Sequence, residues 1–383
     1  MSAQAKKRIL LFGGTGAIGK YLVPELLRLG YDVFVTSRRA RVSNDPNLHF
    51  LQGNPKRELF FNTLMEAHFD AIVDFMIYQT DEFGLRVEPL LAGTDQYIFL
   101  SSYRVYANGG MKPLTEDCPR LLDTEKDPEY LISEEYALVK ARQENLLRKA
   151  SRKNYTIVRP TISYSGDRFQ LGTMEIADFI GNVLSGREVL LAEEMCRRQA
   201  TMTWAGDVAK MISRLVLNER AYGETYTVST AEHHSWGEIA KMYQDILGMK
   251  IRLVPEKTYV NTIGRRWQLK YDRMYDRIVD NAKILAVTGL SQSDMMPLYD
   301  GLRIELQQYL ARRGKEVRSM KTRAKESEWQ RHIRNFKDYR KRHVLWKAIR
   351  NRFYRIPLYR KIGFELTKKR LQREGKPVPE SEQ

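Results

Sequence analysis

The stretch Ile9–Gly19 reads ILLFGGTGAIG, an apolar run that breaks into a glycine-rich loop ahead of an amphipathic segment over Lys20–Leu29. This order of strand, turn and helix is the context that a phosphate-binding glycine loop requires, although glycine turns also join strands to helices where no ligand binds. Glycines let the backbone approach a pyrophosphate, and a helix N-terminus offers free N–H groups and a positive dipole. The stretch therefore predicts a dinucleotide site whose loop residues are Gly13, Gly14, Thr15, Gly16, Ala17, Ile18 and Gly19.

Beyond this stretch, short apolar runs alternate with segments of helical periodicity. Such alternation is typical of βαβ units, so we expect an α/β fold, a Rossmann-type doubly wound parallel sheet. Ligands of these sheets bind beyond the carboxyl ends of the strands, which makes the residues after each run informative. The predicted strands are Ile9–Phe12, Asp32–Thr36, Leu48–Gln52, Ala71–Phe75, Gln96–Ser101, Tyr155–Arg159 and Glu224–Val228.

The residues that follow the second predicted strand favour NADP over NAD. An NAD-selective site places an acidic residue there to accept from the ribose 2′-hydroxyl, whereas Ser37 and Arg38 offer a hydroxyl and a guanidinium for a 2′-phosphate. Asp32 lies at the wrong end of this strand, and the alternative for Arg38 is a solvated surface residue. Asn54, Met76 and Pro160 follow other predicted strands. We therefore expect these residues to lie beside the cofactor as well.

Three residues further along the chain form a candidate catalytic set. Tyr136 and Lys140 are four positions apart, so on a helix they share a face. A free tyrosine has a pKa of about 10, and a nearby ammonium stabilises its phenolate, which makes Tyr136 a candidate general acid/base. Ser102 follows the fifth predicted strand and can hydrogen-bond the same substrate oxygen. Each feature alone also occurs in ordinary helices and turns, but their combination indicates a site.

These motifs resemble those of the short-chain dehydrogenase/reductase superfamily. The resemblance is to its extended and atypical branches, which are often called the NAD-dependent epimerase/dehydratase family. The resemblance covers roughly residues 7–312: the glycines match GxxGxxG, Tyr136 and Lys140 match YxxxK, and Ser102 takes the place of the catalytic serine or threonine. The sequence departs from the family pattern after the fourth predicted strand, at Phe75–Tyr78, and after the sixth, at Thr161–Asp167. Further matching stretches are Arg159-Pro160, Trp204–Ala209, Gly223–Val228 and Asp280–Gly289.

The resemblance implies hydride transfer between a nicotinamide and a carbinol or carbonyl carbon, while Tyr136 moves the proton and Lys140 also holds the nicotinamide ribose. It implies a nucleotide-sugar or related polyol as substrate, in a role such as cell-envelope glycan synthesis. Epimerase, dehydratase and reductase chemistry all stay open. The alternative is a non-catalytic NAD(P)-binding regulatory or RNA-binding protein of the atypical branch, whose usual mark is loss of the Tyr-Lys pair.

A smaller substrate subdomain is expected mainly from residues 161–200 and 231–312, with 1–312 forming the whole NAD(P)-binding domain. Arg168 and Arg198 fall in its first segment and are candidates to bind substrate phosphates, because guanidinium suits bidentate phosphate contacts. The alternative for both is exposed surface. No pattern of metal ligands is present, and the two cysteines, Cys118 and Cys196, suggest neither a disulfide framework nor a zinc site.

The remaining residues, 313–383, are expected to form a basic amphipathic helical tail. The chain has a formal charge of +17, and residues 311–373 hold 23 Lys and Arg against 5 Asp and Glu. Aromatic residues recur at helical spacing, as at Trp329 and Phe336, unlike a plain disordered arm. An anionic membrane surface is the favoured partner. Docking on the domain itself or in a homodimer is the second alternative, and nucleic acid is the third.

The start of the chain runs from Lys6, Lys7 and Arg8 directly into the glycine loop, and no stretch reaches about 18 consecutive apolar residues. The sequence thus predicts a cytoplasmic protein, held by its tail at the inner face of the membrane if the membrane alternative is right.

Overall fold

The computed structural model of the protein describes residues 5–166 and 168–312. Each of the seven apolar runs forms a strand, and the observed ends lie within two residues of the expected ones. In chain order the strands are β1 Arg8–Phe12, β2 Asp32–Ser37, β3 Leu48–Gln52, β4 Phe69–Asp74, β5 Thr94–Leu100, β6 Tyr155–Val158, β7 Ile162–Tyr164, β8 Gln170–Leu171, β9 Met174–Glu175, β10 Glu188–Ala192, β11 Gln199–Ala200, β12 Met202–Trp204, β13 Thr225–Tyr226, β14 His234–Ser235 and β15 Lys250–Val254.

Helices connect most of these strands. A single π-helical turn, Leu269–Arg273, follows α13, and short 3₁₀ turns occur at Tyr103–Val105, Glu219–Ala221 and Gln292–Asp294. The α-helices are α1 Gly19–Arg28, α2 Glu58–Glu66, α3 Thr80–Gly84, α4 Val87–Ala92, α5 Leu121–Thr124, α6 Pro128–Leu131, α7 Tyr136–Lys149, α8 Ile176–Leu184, α9 Glu193–Cys196, α10 Ala205–Leu215, α11 Trp236–Leu247, α12 Glu256–Ile263, α13 Arg266–Gln268, α14 Ala282–Thr288 and α15 Leu298–Arg312.

Seven strands form one parallel sheet in the order β13-β6-β5-β4-β1-β2-β3. Strand β1 lies at its centre, with Ile9 paired to Val33 of β2 on one side and to Ala71 of β4 on the other. The strand order reverses between β1 and β4, so a crevice opens beyond their carboxyl ends, which is where such folds bind ligands. The predicted doubly wound α/β sheet is confirmed.

Alternate residues of β1 enter two different hydrophobic cores, one on each face of the sheet. Ile9 and Leu11 pack with residues of α1 and α10, whereas Leu10 and Phe12 pack with residues of α2, α4 and α7. A strand buried on both faces has no polar side to expose, and this explains the uninterrupted apolar run Ile9–Phe12.

A further hydrophobic core lies outside the sheet. It draws on segments within 162–202, 236–269 and 298–309 and surrounds the fully buried Trp236. These segments fall inside the ranges expected for a substrate subdomain. Within the second of those ranges, however, Ile284 of α14 packs with the sheet core on the side of α1 and α10.

The predicted basic tail, 313–383, lies outside the described residues, and so do the predictions about what it binds. In the part of the chain that is described, no helix combines the length and apolarity that crossing a membrane requires.

Candidate active site

The glycine loop forms the tight strand-to-helix turn that the sequence indicates. Gly13 has a φ of +71°, a conformation that favours glycine, and its N–H donates to Thr36 Oγ1 at 3.1 Å. Gly19 starts α1 so close to the loop that any Cβ would collide with the Gly14 carbonyl. A Cβ on Gly16, in contrast, would meet only the Gly13 oxygen, at 3.7 Å. The loop is therefore tightly packed at its ends and open in its middle.

The open part of this loop suits a phosphate. Among the described residues, no acceptor receives a hydrogen bond from the backbone N–H groups of Thr15, Ala17 or Ile18. Such unsatisfied donors, directly before the N-terminus of a ten-residue helix, form an anion site in Rossmann folds. The geometry of the loop thus fits the pyrophosphate of a dinucleotide.

The residues expected beside the adenosine half of the cofactor lie together at the edge formed by β2 and β3. Ser37 is buried at the end of β2, and its carbonyl accepts from the N–H of Gly53, the residue before Asn54. Asn54 Oδ1 caps the following turn by accepting from the Lys56 N–H at 3.1 Å. Arg38 is exposed, and within the described residues its side chain forms no ion pair or hydrogen bond. Its guanidinium is therefore available to an anion.

Two further residues expected at the cofactor border the crevice. Met76 lies against the glycine loop, since a Cβ on Gly13 would come within 3.3 Å of its sulfur. Pro160 follows β6, lines a cavity beside the sheet, and accepts a hydrogen bond from the Tyr103 N–H at 3.1 Å. The large Met76 thus occupies a place that the family resemblance assigns to a small residue.

The structure brings Ser102, Tyr136 and Lys140 together at the carboxyl end of the sheet. Tyr136 is the first residue of α7, and Glu135 caps the helix by accepting from the Ala137 N–H at 2.7 Å. Lys140 lies one turn along the same face, with its Nζ 6.0 Å from the centre of the Tyr136 ring. Ser102 follows β5 and caps the next 3₁₀ turn.

The charges around Tyr136 act on its phenol in opposite directions. Burial raises the pKa of Tyr136, whereas the positive charges of Arg168 and, next in size, Arg104 lower it, with a smaller contribution from the Ser102 hydroxyl. Arg104 lies 5.4 Å from the centre of the Tyr136 ring. Cationic neighbours thus favour the phenolate against the cost of burial.

Of Tyr136 and Lys140, Lys140 has the pKa that is shifted further from its ordinary value. It is 2% exposed, and burial lowers the pKa of its ammonium to about 8, although the negative charges of Asp74 and Glu144 oppose this change. The Nζ atom lies 4.6 Å from the centre of the Phe99 ring. An ammonium with a pKa so close to neutrality can respond to modest changes around it.

Sequence reasoning missed Asp74, the last residue of β4. Its carboxylate is 1% exposed and accepts from Tyr97 OH at 2.9 Å, Tyr78 OH at 3.0 Å and the Met76 N–H at 2.8 Å. Burial raises the pKa of Asp74 to about 6. The sequence does contain a signal for Asp74, because it is a charged residue at the carboxyl end of an apolar strand, where ligands of such sheets bind.

A second missed group lies beneath Ser101. Glu144, one turn after Lys140 on α7, is fully buried and accepts from Ser101 Oγ at 2.6 Å and from Arg159 Nη2 at 2.7 Å. Arg120 also reaches this carboxylate, at 3.2 Å. Although burial raises the pKa of Glu144, Arg159 and, with smaller effects, the Ser101 hydroxyl and Arg148 hold it below its ordinary value. This network fastens α7 to the ends of β5 and β6.

A cavity of about 250 Å³ adjoins the catalytic set and the glycine loop. Of the two arginines predicted to contact substrate, Arg168 lines this cavity. Arg198 is not among its lining residues and pairs instead with Asp276 at 3.3 Å. The residues around the cavity are Ile18, Leu100, Ser101, Ser102, Tyr103, Arg104, Tyr136, Pro160, Thr161, Ile162, Ser163, Arg168, Gln170, Glu175, Arg265, Gln268 and Arg273.

Known proteins resemble this chain over different lengths. The sequence profile described as the NAD dependent epimerase/dehydratase family matches residues 9–82. A UDP-glucose 4-epimerase of Neisseria meningitidis serogroup B is 28% identical in an alignment of 141 residues that covers 30% of this chain and only 42% of that enzyme. A UDP-N-acetyl-alpha-D-glucosaminuronate decarboxylase of Bacillus cytotoxicus is 26% identical in an alignment of 282 residues that covers 66% of this chain and 85% of that enzyme.

Solved structures match a larger share of this chain than these sequence relatives do. Pal from Bacillus thuringiensis superposes with a TM-score of 0.62 at 19% identity and covers 79% of this chain and 99% of its own. UDP-glucuronic acid 4-epimerase from Bacillus cereus, in complex with UDP-glucuronic acid and NAD, gives a TM-score of 0.60 at 16% identity with the same coverages. The described domain therefore shares the fold of these structures, and the resemblance of its sequence to the NAD-dependent epimerase/dehydratase family is confirmed over residues 9–82.

Proposed function

We propose that the protein is an NAD(P)-dependent oxidoreductase or epimerase that acts at a carbinol carbon of a nucleotide-sugar or related polyol. The observation that carries this proposal is that Ser102 and Tyr136 line one cavity, which also borders the glycine loop at Ile18, while Lys140 lies buried one helical turn from Tyr136. The sugar-nucleotide relatives support the substrate class.

In this proposal Tyr136 moves the proton on the substrate oxygen. Lys140 favours its phenolate by charge, and Ser102 hydrogen-bonds the same oxygen and orients it. The pKa of Lys140, about 8, means that the ammonium is mostly charged at pH 7 and loses this role in alkali. When bound, the dinucleotide supplies the hydride acceptor or donor, with its pyrophosphate on the loop Gly13–Gly19 and its nicotinamide ribose at Tyr136 and Lys140.

NADP is the favoured cofactor within this proposal. The Arg38 side chain is exposed and has no partner among the described residues, and with the Ser37 hydroxyl it offers a guanidinium where a 2′-phosphate would lie. A neutral or acidic replacement tests this choice: Arg38→Asp is expected to weaken NADPH binding at least tenfold and to leave NADH binding much less affected. Titration of cofactor fluorescence measures both, and an equal loss for the two cofactors would contradict the NADP preference.

Incubation of the purified full chain with nucleotide-sugars, with and without NADPH, tests the function. Turnover without added NADPH indicates an epimerase that recycles its hydride, and NADPH consumption indicates a reductase. Tyr136→Phe is expected to lower kcat at least a hundredfold while cofactor binding persists, because only the proton donor is lost. Tyr299→Phe, at a partly exposed tyrosine of α15, is the matched control.

The result that would overturn the proposal is the absence of turnover with every substrate, together with identical behaviour of wild type and Tyr136→Phe. The non-catalytic alternative, a regulatory or RNA-binding protein that keeps the nucleotide fold, would then be the better account.

A further inference from the structure

Five charged side chains beside the cavity form one buried group, which we call the arginine cluster. Arg104 Nη2 pairs with Glu135 at 2.5 Å, and Arg104 Nε lies 3.4 Å from Asp272 Oδ2. Asp272 also pairs with Arg273 and, at 3.0 Å, with Arg277. Among the described residues the three guanidinium groups have only these two carboxylates as ionic partners, so the cluster holds one more positive charge than negative charge.

Arg104 is the member of this cluster that lies against the catalytic tyrosine. Its Cζ atom is 5.4 Å from the centre of the Tyr136 ring, and its side chain is only 13% exposed. The backbone N–H of the same residue donates to Ser102 Oγ at 3.2 Å. A cation within about 6 Å of an aromatic ring centre is attracted to the ring, more strongly where water is excluded. A guanidinium in this place favours the phenolate of Tyr136 over the neutral phenol.

Lys140 is a weaker and less permanent source of positive charge at this phenol. Its Nζ atom lies 6.0 Å from the centre of the Tyr136 ring and closer, at 4.6 Å, to the centre of the Phe99 ring. The negative charges of Asp74 and Glu144 act on the ammonium and offset part of its field. Burial lowers the pKa of Lys140 to about 8, so its charge disappears in a pH range where a guanidinium stays protonated.

Other charged groups also act on Tyr136. Against burial, which raises the pKa of this phenol, Arg168 acts in the same direction as Arg104, but its side chain is 43% exposed, so water and salt screen its charge. Glu135 raises the pKa of Tyr136, yet its carboxylate accepts hydrogen bonds from three donors, Arg104 among them. The further charged residues that line the cavity are Glu175, Arg265 and Arg273. Arg104 thus combines proximity to the ring with burial and a permanent charge.

From this arrangement, and resting on the function proposed above, we propose that Arg104 is a positioning residue of the reaction and supplies more of the positive charge that keeps Tyr136 reactive than Lys140 does. Glu135 and Asp272 hold the guanidinium at the ring. They do not cancel its effect, because Asp272 is shared with two further arginines and the cluster keeps a surplus positive charge. Lys140 then contributes the smaller share of the charge and serves chiefly the nicotinamide ribose.

Nitration by tetranitromethane tests the proposal without a substrate, because this reagent reacts with the phenolate form of tyrosine. Tyr136 lines the cavity and is partly exposed, so the reagent can reach it. The full chain is treated at about pH 8, and peptide mass spectrometry gives the rate at Tyr136. Arg104→Gln is expected to lower this rate about tenfold, as for a rise of one unit in the pKa of the phenol, and Lys140→Gln to lower it less than about threefold.

The sign of the effect separates charge from packing. If Arg104 were only structural, Arg104→Gln would loosen the site, expose the ring and raise the nitration rate of Tyr136. Nitration of Tyr299, which is 40% exposed, serves as the internal reference and should not change.

Further variants complete the design. Arg104→Lys keeps the charge, so the rate at Tyr136 should stay within about threefold of wild type. Arg197→Gln removes a surface arginine that is 77% exposed and outside the cavity lining, and it is expected to change nothing. Arg168→Gln is expected to lower the rate less than Arg104→Gln does, because its charge is screened. Melting temperatures of all variants show whether the fold is kept.

The wild-type chain provides a second test that needs no variant. Below the pKa of a phenol, its phenolate fraction rises about tenfold for each pH unit. If Arg104 supplies most of the charge, the nitration rate of Tyr136 should keep this slope through the pKa of Lys140, about 8. If Lys140 supplied most of it, the rate would level off there, because loss of the ammonium would raise the pKa of the phenol.

Each other outcome overturns the inference in a recognisable way. An unchanged or faster rate in Arg104→Gln, or no nitration of Tyr136 in the wild type, excludes Arg104 as the source of an activated phenol. A larger loss in Lys140→Gln or Arg168→Gln than in Arg104→Gln assigns the charge to that residue instead. Because nitration requires no turnover, the expected rates together with an inactive turnover panel would count against the proposed function alone.

Discussion

At the scale of single residues, the charge of Asp74 acts on the buried ammonium of Lys140, which lies one helical turn from Tyr136. The Asp74 carboxylate raises the pKa of Lys140, and burial lowers it to about 8. Asp74→Asn removes the opposing charge, so the Lys140 pKa is expected to fall further and the ammonium to be lost at a lower pH. The alkaline limb of kcat/KM against pH should therefore move to lower pH by roughly half a unit or more.

Asp70→Asn is the matched control for this change, because Asp70 lies at the opposite end of the same strand and pairs with Lys7. It should leave the pH profile unchanged. An Asp74→Asn profile that coincides with the wild-type profile would show that Asp74 serves the Tyr78 and Tyr97 hydrogen bonds only.

At the scale of elements, two glycines of the same loop serve different purposes. Gly19→Ala forces a Cβ into the Gly14 backbone, so the variant is expected to lose about 1–3 kcal/mol of stability. Gly16→Ala meets only an ordinary contact at 3.7 Å, so its stability should stay within about 0.5 kcal/mol of wild type. Its added methyl group would nevertheless occupy space that a pyrophosphate needs, and NADPH binding should weaken at least tenfold.

Urea denaturation and NADPH fluorescence separate these two effects. If Gly16→Ala bound NADPH as tightly as the wild type, the open middle of the loop would not be the phosphate site.

The same elements show what sequence can and cannot predict. The seven sheet strands are predictable because strands buried on both faces are apolar throughout. Two-residue strands such as β11 and β14 leave no local pattern, because they pair only with each other and more than thirty positions separate them in the sequence. Tyr136 and Lys140 are predictable as a pair for the opposite reason, since one helical turn alone brings them together.

At the scale of the whole molecule, the cavity illustrates the limit of local reasoning. Arg104 and Arg273 are separated by well over a hundred positions and still share Asp272. Arg168 could be singled out from its place after a strand, but the same reasoning also selected Arg198, which faces Asp276. Only the three-dimensional arrangement distinguishes an arginine that lines the cavity from one that lies outside it.

Asp272 is the residue on which this long-range arrangement depends. Its carboxylate is fully buried and forms ion pairs with Arg104, Arg273 and Arg277. Asp272→Asn would leave three guanidinium groups without their shared anion. Because removing one partner of a buried ion pair exposes an uncompensated charge, the variant is expected to lose about 3–5 kcal/mol of stability at pH 7, measured by urea denaturation.

The pH dependence of stability identifies the cause of this loss. The three arginines hold the pKa of Asp272 below its ordinary value of 3.8, so its contribution is complete above that value and disappears as the pH falls through the lowered pKa. Wild type should therefore lose stability steeply below about pH 4, and Asp272→Asn should lose less over the same interval. Asp300→Asn, at an exposed pair of α15, should follow the wild-type curve. Parallel curves for wild type and Asp272→Asn would show that packing around residue 272, and not its charge, causes the loss of stability.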